Sequence, residues 1–273
     1  MKIKILTANI AFGLNDMNNL FANFYAHYIF HGWSIITFIF NPKSLKHKLG
    51  YMDSKRVRYL KKHSKLEQII SLIKKEDPKI VFLNELLIQL HRDGLENSLQ
   101  KMGYKSFAWG QSAHYADSTV SSFVASKTEG EAVEVFLPQE SHAGGGGGIA
   151  AIRLAENNIT AIAVHMSVLA KFSWLYEAQL EAIANFISEE EKRGRKVVIG
   201  GDWNASNISM QKYQLFSKLN FKNSEGDLLT CPTFLPKLNP LDHIYVPQNW
   251  KTVNTKTAAF GSDHLAVIVE EEF

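Results

Sequence analysis

The stretch Lys196–Ser206, KVVIGGDWNAS, constrains this chain more than any other. Val197, Val198 and Ile199 form an apolar run of strand length, the kind buried on both faces. Gly200 and Gly201 end it, because two residues without a Cβ let the chain turn sharply and let another segment approach the backbone. Asp202 and Asn204 follow, with Trp203 between them. In extended backbone, residues i and i+2 face one side, so the carboxylate and the amide would point together and the indole away. Open α/β sheets place ligands at such carboxyl ends of strands. A β-turn using Asp and Asn as turn residues explains the same letters, so the rest of the chain has to decide.

Other short apolar runs share the pattern. Ile3–Ile10 reads as a first strand, with Ile3, Ile5 and Leu6 inward and Asn9 near its end. Leu66, Ile69, Ile70 and Ile73 give the i, i+3, i+4, i+7 stripe of an amphipathic helix, stopped by Asp77-Pro78. Ile80–Leu83 is a buried strand ending in Asn84-Glu85, where a glutamate is costly unless a cation or donor meets it. After a polar stretch, Val120–Ser126 reads as a strand and Ala132–Leu137 as its hairpin partner. Five glycines, Gly144–Gly148, precede a strand at Ile149–Leu154. They lack the lysine and helix start of a P-loop and suit a flexible hairpin connection better than a phosphate nest. Ile159–Val164 ends in His165, and a helix from about Phe172 to Glu191 leads back to the opening stretch. Asp242 and His243 precede a short strand at Ile244–Val246, and Gly261-Ser262-Asp263-His264 precedes the last, Leu265–Val269. Strands outnumber helices and several are joined by hairpin-like gaps. The expected fold is an α/β, four-layered sandwich, with two packed mixed sheets flanked by helices.

A chain of 273 residues suits one large domain. Its single cysteine, Cys231, excludes an internal disulfide and fits a reducing, cytoplasmic setting. The opening MKIKILTANI has no small-x-small cleavage site and reads as a strand, not a signal peptide. Residues 11–63 form an insertion of unusual composition. From Met17 to Pro42 there is no Asp, Glu, Lys or Arg, and LFANFYAHYIFHGWSIITFIF is as long as a membrane span. A span there would cut the domain in two, so an aromatic cap or an interfacial segment is expected. Nine Lys and Arg against Asp53 alone then fill Lys43–Lys65. Residues 20–65 could thus meet an anionic membrane surface, the basic part could track nucleic acid, or it could be a solvated helix face.

The polar residues at strand ends are Asn9, Glu85, His165, Asp202, Asn204, Asp242, Asp263 and His264. Singly, each has an ordinary structural explanation. Together they offer hard oxygen ligands, which suit Mg²⁺ or Mn²⁺, and two histidines able to pair with acids for proton transfer near neutral pH. No Cys/His run has zinc spacing. A hard cation beside an acid–base set points to phosphoryl chemistry in water.

The ordered set TANI (Asn9), LNEL (Glu85), VHMS (His165), GGDWNAS (Asp202, Asn204), LDHIYV (Asp242) and GSDHLAV (Asp263, His264) resembles the endonuclease/exonuclease/phosphatase superfamily, the pancreatic-deoxyribonuclease-like fold. The resemblance implies a phosphoesterase with Glu85 as principal metal ligand, and Asn9 and Asp263 beside it. It implies His264 as general base, oriented by Asp242, and Asp202 and Asn204 positioning the nucleophile and phosphoryl oxygens. His165 would donate to the phosphate or protonate the leaving oxygen. Asn84 stands where the family usually has glutamine, Trp203 where phenylalanine is commoner, and His243 where tyrosine or arginine is frequent. The Tyr-Pro-Asn motif of abasic-site nucleases and the arginine-rich closing motifs of inositol polyphosphate phosphatases are missing. The layout from Pro232 to Val246 looks more like the sphingomyelinase-type and uncharacterised bacterial members. The expected substrate is a phosphate ester, on a lipid or a small molecule. The alternatives are a nuclease and, with less support, a non-catalytic phosphate-binding module.

Overall fold

The structure, a computed structural model, describes residues 1–10, 65–115, 118–138, 148–167, 173–210, 220–226, 228–232, 238–262 and 264–273. The insertion at 11–63, the glycines at 144–147 and Asp263 lie outside them. Among the described residues no helix is long and apolar enough to cross a membrane.

In chain order the strands are β1 (Lys2–Asn9), β2 (Ile80–Leu87), β3 (Ser106–Tyr115), β4 (Ser118–Ser126), β5 (Gly130–Val133), β6 (Gly148–Leu154), β7 (Ile159–His165), β8 (Lys196–Asp202), β9 (Phe221–Asn223), β10 (Cys231–Pro232), β11 (Leu238–Asn239), β12 (Asp242–Pro247), β13 (Lys251–Ala258) and β14 (Ala266–Glu272). The helices are α1 (Leu66–Glu76), α2 (Ile88–Lys101), α3 (Ser173–Lys192) and the single turn α4 (Asn207–Met210). One six-stranded sheet runs β13-β14-β1-β2-β4-β3, the other β5-β6-β7-β8-β12-β9, and β10 pairs with β11. Both are mixed: β1 is parallel to β2, and β7 to β8, within otherwise antiparallel pairings.

Alternation along the strands builds the four layers. Ile3, Ile5, Phe82 and Val267 of the first sheet meet Ile152, Ala163, Val198 and Ile244 of the second in a buried inter-sheet core. On the outer face of the first sheet, Leu6, Val81 and Phe123 pack with Ile69 and Ile73 of α1 and Leu95 and Leu99 of α2. On the outer face of the second, Ile162, Val164 and Ile199 pack with Tyr176, Leu180, Ile183 and Ile187 of α3. Leu6 is therefore buried toward the helices, not toward the inter-sheet core that holds Ile3 and Ile5. Gly200 lets the two sheets close, and Gly201 lets β8 lie tight against its sheet neighbour β7. A Cβ on Gly200 would lie 2.2 Å from the Phe82 ring, and one on Gly201 1.9 Å from the Val164 carbonyl oxygen.

Three local expectations change. The strand at Ile80 does not end at Leu83 but runs to Leu87 through a bulge between Leu83 and Leu86. The segment after β4 is not its hairpin partner: β4 already has β2 on one side and β3 on the other, so β5 crosses to the second sheet and pairs with β6. The polar stretch before β4 holds α2 and β3. The α2 sequence hid its helix, because only His91, Leu95 and Leu99 are buried and Gly94 interrupts it.

Candidate functional site

The register brings the polar strand ends to one pole of the sandwich. Asn9 pairs with Asn84 across β1 and β2. In the second sheet His165 stands beside Asp202, and Asp202 beside Asp242. Because β14 runs antiparallel to β1, its start delivers His264 to the same pole.

Asp202 is the meeting point. Its Oδ2 accepts a hydrogen bond from Asn9 Nδ2 at 2.8 Å, and lies 3.8 Å from His165 Nε2 and 4.0 Å from His264 Nε2. The same Asn9 amide nitrogen donates to Glu85 Oε1 at 3.1 Å, and that oxygen is 3.6 Å from His165 Nε2. Asp202, His165 and Asn9 are buried, whereas the Glu85 side chain keeps about a fifth of its surface exposed, so the site opens on the glutamate side. The second acid–histidine pair is tighter: His264 Nδ1 donates to Asp242 Oδ2 at 2.6 Å. Burial pushes the Asp242 carboxyl above its usual range and the Asp202 charge adds to this, against the pull of His264 and Thr230.

Groups not assigned roles from sequence hold this arrangement. Asn84 bridges the sheets: its Oδ1 accepts from the Asp202 backbone N–H at 3.0 Å, and its Nδ2 donates to the Val164 carbonyl at 2.9 Å and to Ser122 Oγ at 3.0 Å. Ser122 passes the connection on to the Gly148 carbonyl. Thr230 Oγ1 accepts from the N–H groups of Leu241 and Asp242, and Ser262 Oγ donates to the Asn9 carbonyl. An amide inside an apolar strand run was the visible signal for Asn84. Thr230 had none.

Two residues depart from the extended geometry expected of them. Glu85 sits in the bulge with φ of 57°, and Asn204 has φ of 47°, so both are left-handed. Asp202 and Asn204 therefore do not share a strand face. Instead Asp202 Oδ1 accepts from the Asn204 N–H at 2.8 Å, the self-turn that Asp favours, and Asn204 Nδ2 donates to the Met166 carbonyl. Trp203 does turn away, into the outer core against Tyr245. Asp263 lies outside the described residues.

Glu85, His165 and Asp202 can each turn a ligand atom toward a common point, these atoms lying within 4.8 Å of one another. His165 Nε2 is buried and makes no hydrogen bond among the described residues. No lysine or arginine among those residues forms an ion pair with Asp202 or Asp242. The clustered carboxylate oxygens of Glu85 and Asp202 fit a divalent cation, whose charge would offset theirs.

A family model described as Endonuclease/Exonuclease/phosphatase family matches residues 6–264. No curated protein matches the sequence. Among solved structures, similar ones include an endonuclease/exonuclease/phosphatase family protein from Leptotrichia buccalis (TM-score 0.66, 14% identity, covering 99% of this chain and 100% of that one). Another is D. rerio TDP2 complexed with single-strand DNA product (TM-score 0.65, 12% identity, 100% and 99%). A third is the 3′ phosphatase NExo from Neisseria bound to product DNA hairpin (TM-score 0.61, 17% identity, 99% and 100%).

Proposed function

The chain belongs to the endonuclease/exonuclease/phosphatase family, and we propose that it hydrolyses phosphate esters with water at the Asp202 pole, using Mg²⁺ or Mn²⁺. The observation that carries this reading is Asp202 Oδ2, reached within 4.0 Å by Asn9, His165 and His264 from three separate elements. Glu85, with Asn9 and Asp263, would hold the cation, which neutralises phosphoryl charge and lowers the barrier to attack by water. His264 is the general base: donating from Nδ1 to Asp242 leaves the Nε2 lone pair facing the site, and the carboxylate supports the imidazolium that forms. Asp202 holds the attacking water in line, and Asn204 shapes the turn that aims it. His165 turns its unspent Nε2 toward the phosphoryl or leaving oxygen.

Two substrate readings have support. Neighbours whose names mention DNA products favour a phosphate at a nucleic-acid end. The apolar and basic make-up of residues 20–65 favours a phospholipid or sphingolipid headgroup. So does the exposure of Trp174 and Ile208, on the first turn of α3 and just after the Asp202 turn. A cytoplasmic protein peripheral to an anionic membrane goes with this second reading.

Metal-stripped protein given Mg²⁺ or Mn²⁺ should cleave at least one of bis-p-nitrophenyl phosphate, 3′-phosphorylated DNA, plasmid DNA, sphingomyelin and inositol phosphates. Glu85→Gln should need about ten- to a hundredfold more metal for half-maximal rate. Hydrolysis of none of these with metal present would overturn the phosphoesterase reading. Nuclease action should fall steeply with salt, whereas lipid action should follow sedimentation with anionic vesicles.

A further inference from the structure

His243 follows Asp242 in chain order but faces the opposite side of β12, beside Tyr245 in the outer layer. It is completely buried, and so is its partner Glu225. His243 Nδ1 lies 2.6 Å from Glu225 Oε1, and Nε2 lies 3.0 Å from the Ala205 carbonyl oxygen. Two lone pairs cannot face each other at 2.6 Å, so a proton lies between Nδ1 and Glu225, and the carboxylate that accepts from the Ile244 N–H on its other oxygen leaves it on the ring. Nε2 faces a carbonyl, so it carries one too. The Asn223 amide nitrogen, 3.2 Å from Nδ1, is the looser contact.

The surroundings agree. Glu225 uses its other oxygen to accept from the Ile244 N–H, and its own N–H donates to Asn223 Oδ1. Burial lowers the tendency of the ring to hold its second proton, but the Glu225 hydrogen bond and charge overcome this and leave the His243 pKa raised. A buried charged pair seldom adds stability over an apolar pair of the same volume, so its presence asks for another use.

We propose that His243 is a positioning residue that locks the Asp202–Ala205 turn onto β12 through the Ala205 carbonyl and so fixes Asp202 against the Asp242–His264 pair. The same strand thus carries Asp242 on its inner face and the lock on its outer face. The Glu225 carboxylate keeps both ring nitrogens protonated, so one imidazole can serve two acceptors. The hold falls at the turn itself, where Asn204 is left-handed directly after Asp202 and Trp203.

This inference rests on the phosphoesterase reading only for its kinetic test. In His243→Gln the amide nitrogen takes the place of Nε2 and can still reach the Ala205 carbonyl. In His243→Asn it takes the place of Nδ1 and keeps only Glu225. His243→Asn should lose about tenfold or more in kcat on bis-p-nitrophenyl phosphate with KM within twofold, while His243→Gln stays within about threefold of the parent. Equal rates in the two folded variants would overturn the proposal. Should neither fold, ring ¹⁵N spectra of the parent protein decide it: both His243 nitrogens should carry protons at neutral pH, and a proton-free one would overturn the lock. A parent protein that hydrolyses nothing defeats the phosphoesterase reading instead, and leaves the ring spectrum to judge the lock.

Discussion

Two buried carboxylates stand at opposite poles of the second sheet. Glu190, near the end of α3, accepts two hydrogen bonds from Arg153 Nε and one from Arg153 Nη2, and others from Arg193 and the Thr160 hydroxyl, with Arg195 3.5 Å away. Burial works to raise its pKa, yet the Arg153 and Thr160 bonds and the arginine charges hold it down to about 2. Asp202 meets an amide, two histidines and, among the described residues, no lysine or arginine ion partner. A buried anion matched by permanent cations is scaffold. One matched only by groups that have neutral forms is left able to take a metal ion, a water or a proton.

The comparison breaks most visibly at the Asp202 pole. His264→Ala should lower kcat by about a hundredfold or more while the far-ultraviolet spectrum and cooperative melt persist. Undiminished hydrolysis in that variant would remove His264 as base. It would also leave the pairing of Asp202 with histidines, where Glu190 has arginines, with no catalytic meaning.

At the other pole the effect should fall on stability alone. Glu190→Gln leaves Arg153, Arg193 and Arg195 facing a neutral amide and should cost about 3 kcal/mol in denaturant unfolding at pH 7, with kcat of the folded enzyme unchanged. The pH dependence has a definite sign. The folded pKa lies below the unfolded one, so this stability is complete above about pH 4.5 and drains away as pH falls toward 2. Parent and variant should therefore differ most at neutral pH and converge in acid. An equal gap at pH 7 and pH 2.5 would show that the charge is not what Glu190 contributes.

The poles also differ in how far the sequence betrayed them. Asn9, His165, Asp202 and His264 each close or open an apolar run, and that position at strand ends points to one rim. Glu190 sits in the acidic tail EEEKRGR and looks solvated. It is buried because Arg153 of β6 and Thr160 of β7 reach it from strands distant in sequence, and no periodicity encodes that. The bulge at Glu85 is set by register against β4, a pairing between segments with no shared motif. His243 and Glu225 are eighteen residues apart, and neither belongs to a repeating pattern. What escaped the sequence is pairing between elements. Polarity at strand ends did not escape.

The smallest predicted effect sharpens the contrast through backbone strain. Among the described residues away from the site, the left-handed ones other than glycine are Asp77, Asn157 and Asn158, short polar side chains that tolerate turns. At the site one of them is Glu85, whose longer side chain suits this conformation less than Asn or Asp does. Glu85→Gly should relieve this strain and the crowding of two acids on the Asn9 amide, and should lose one Asn9 hydrogen bond and some unfolded-state rigidity. The balance favours the variant by about 1 kcal/mol in denaturant unfolding, with metal-dependent hydrolysis abolished. The control is Asn158→Gly at the opposite pole, where asparagine already accommodates the turn, so stability should move by about half as much or less and kcat not at all. Destabilisation by Glu85→Gly equal to an ordinary buried polar deletion would mean that the bulge needs its glutamate. The strain at this pole would then belong to the fold and not to the chemistry.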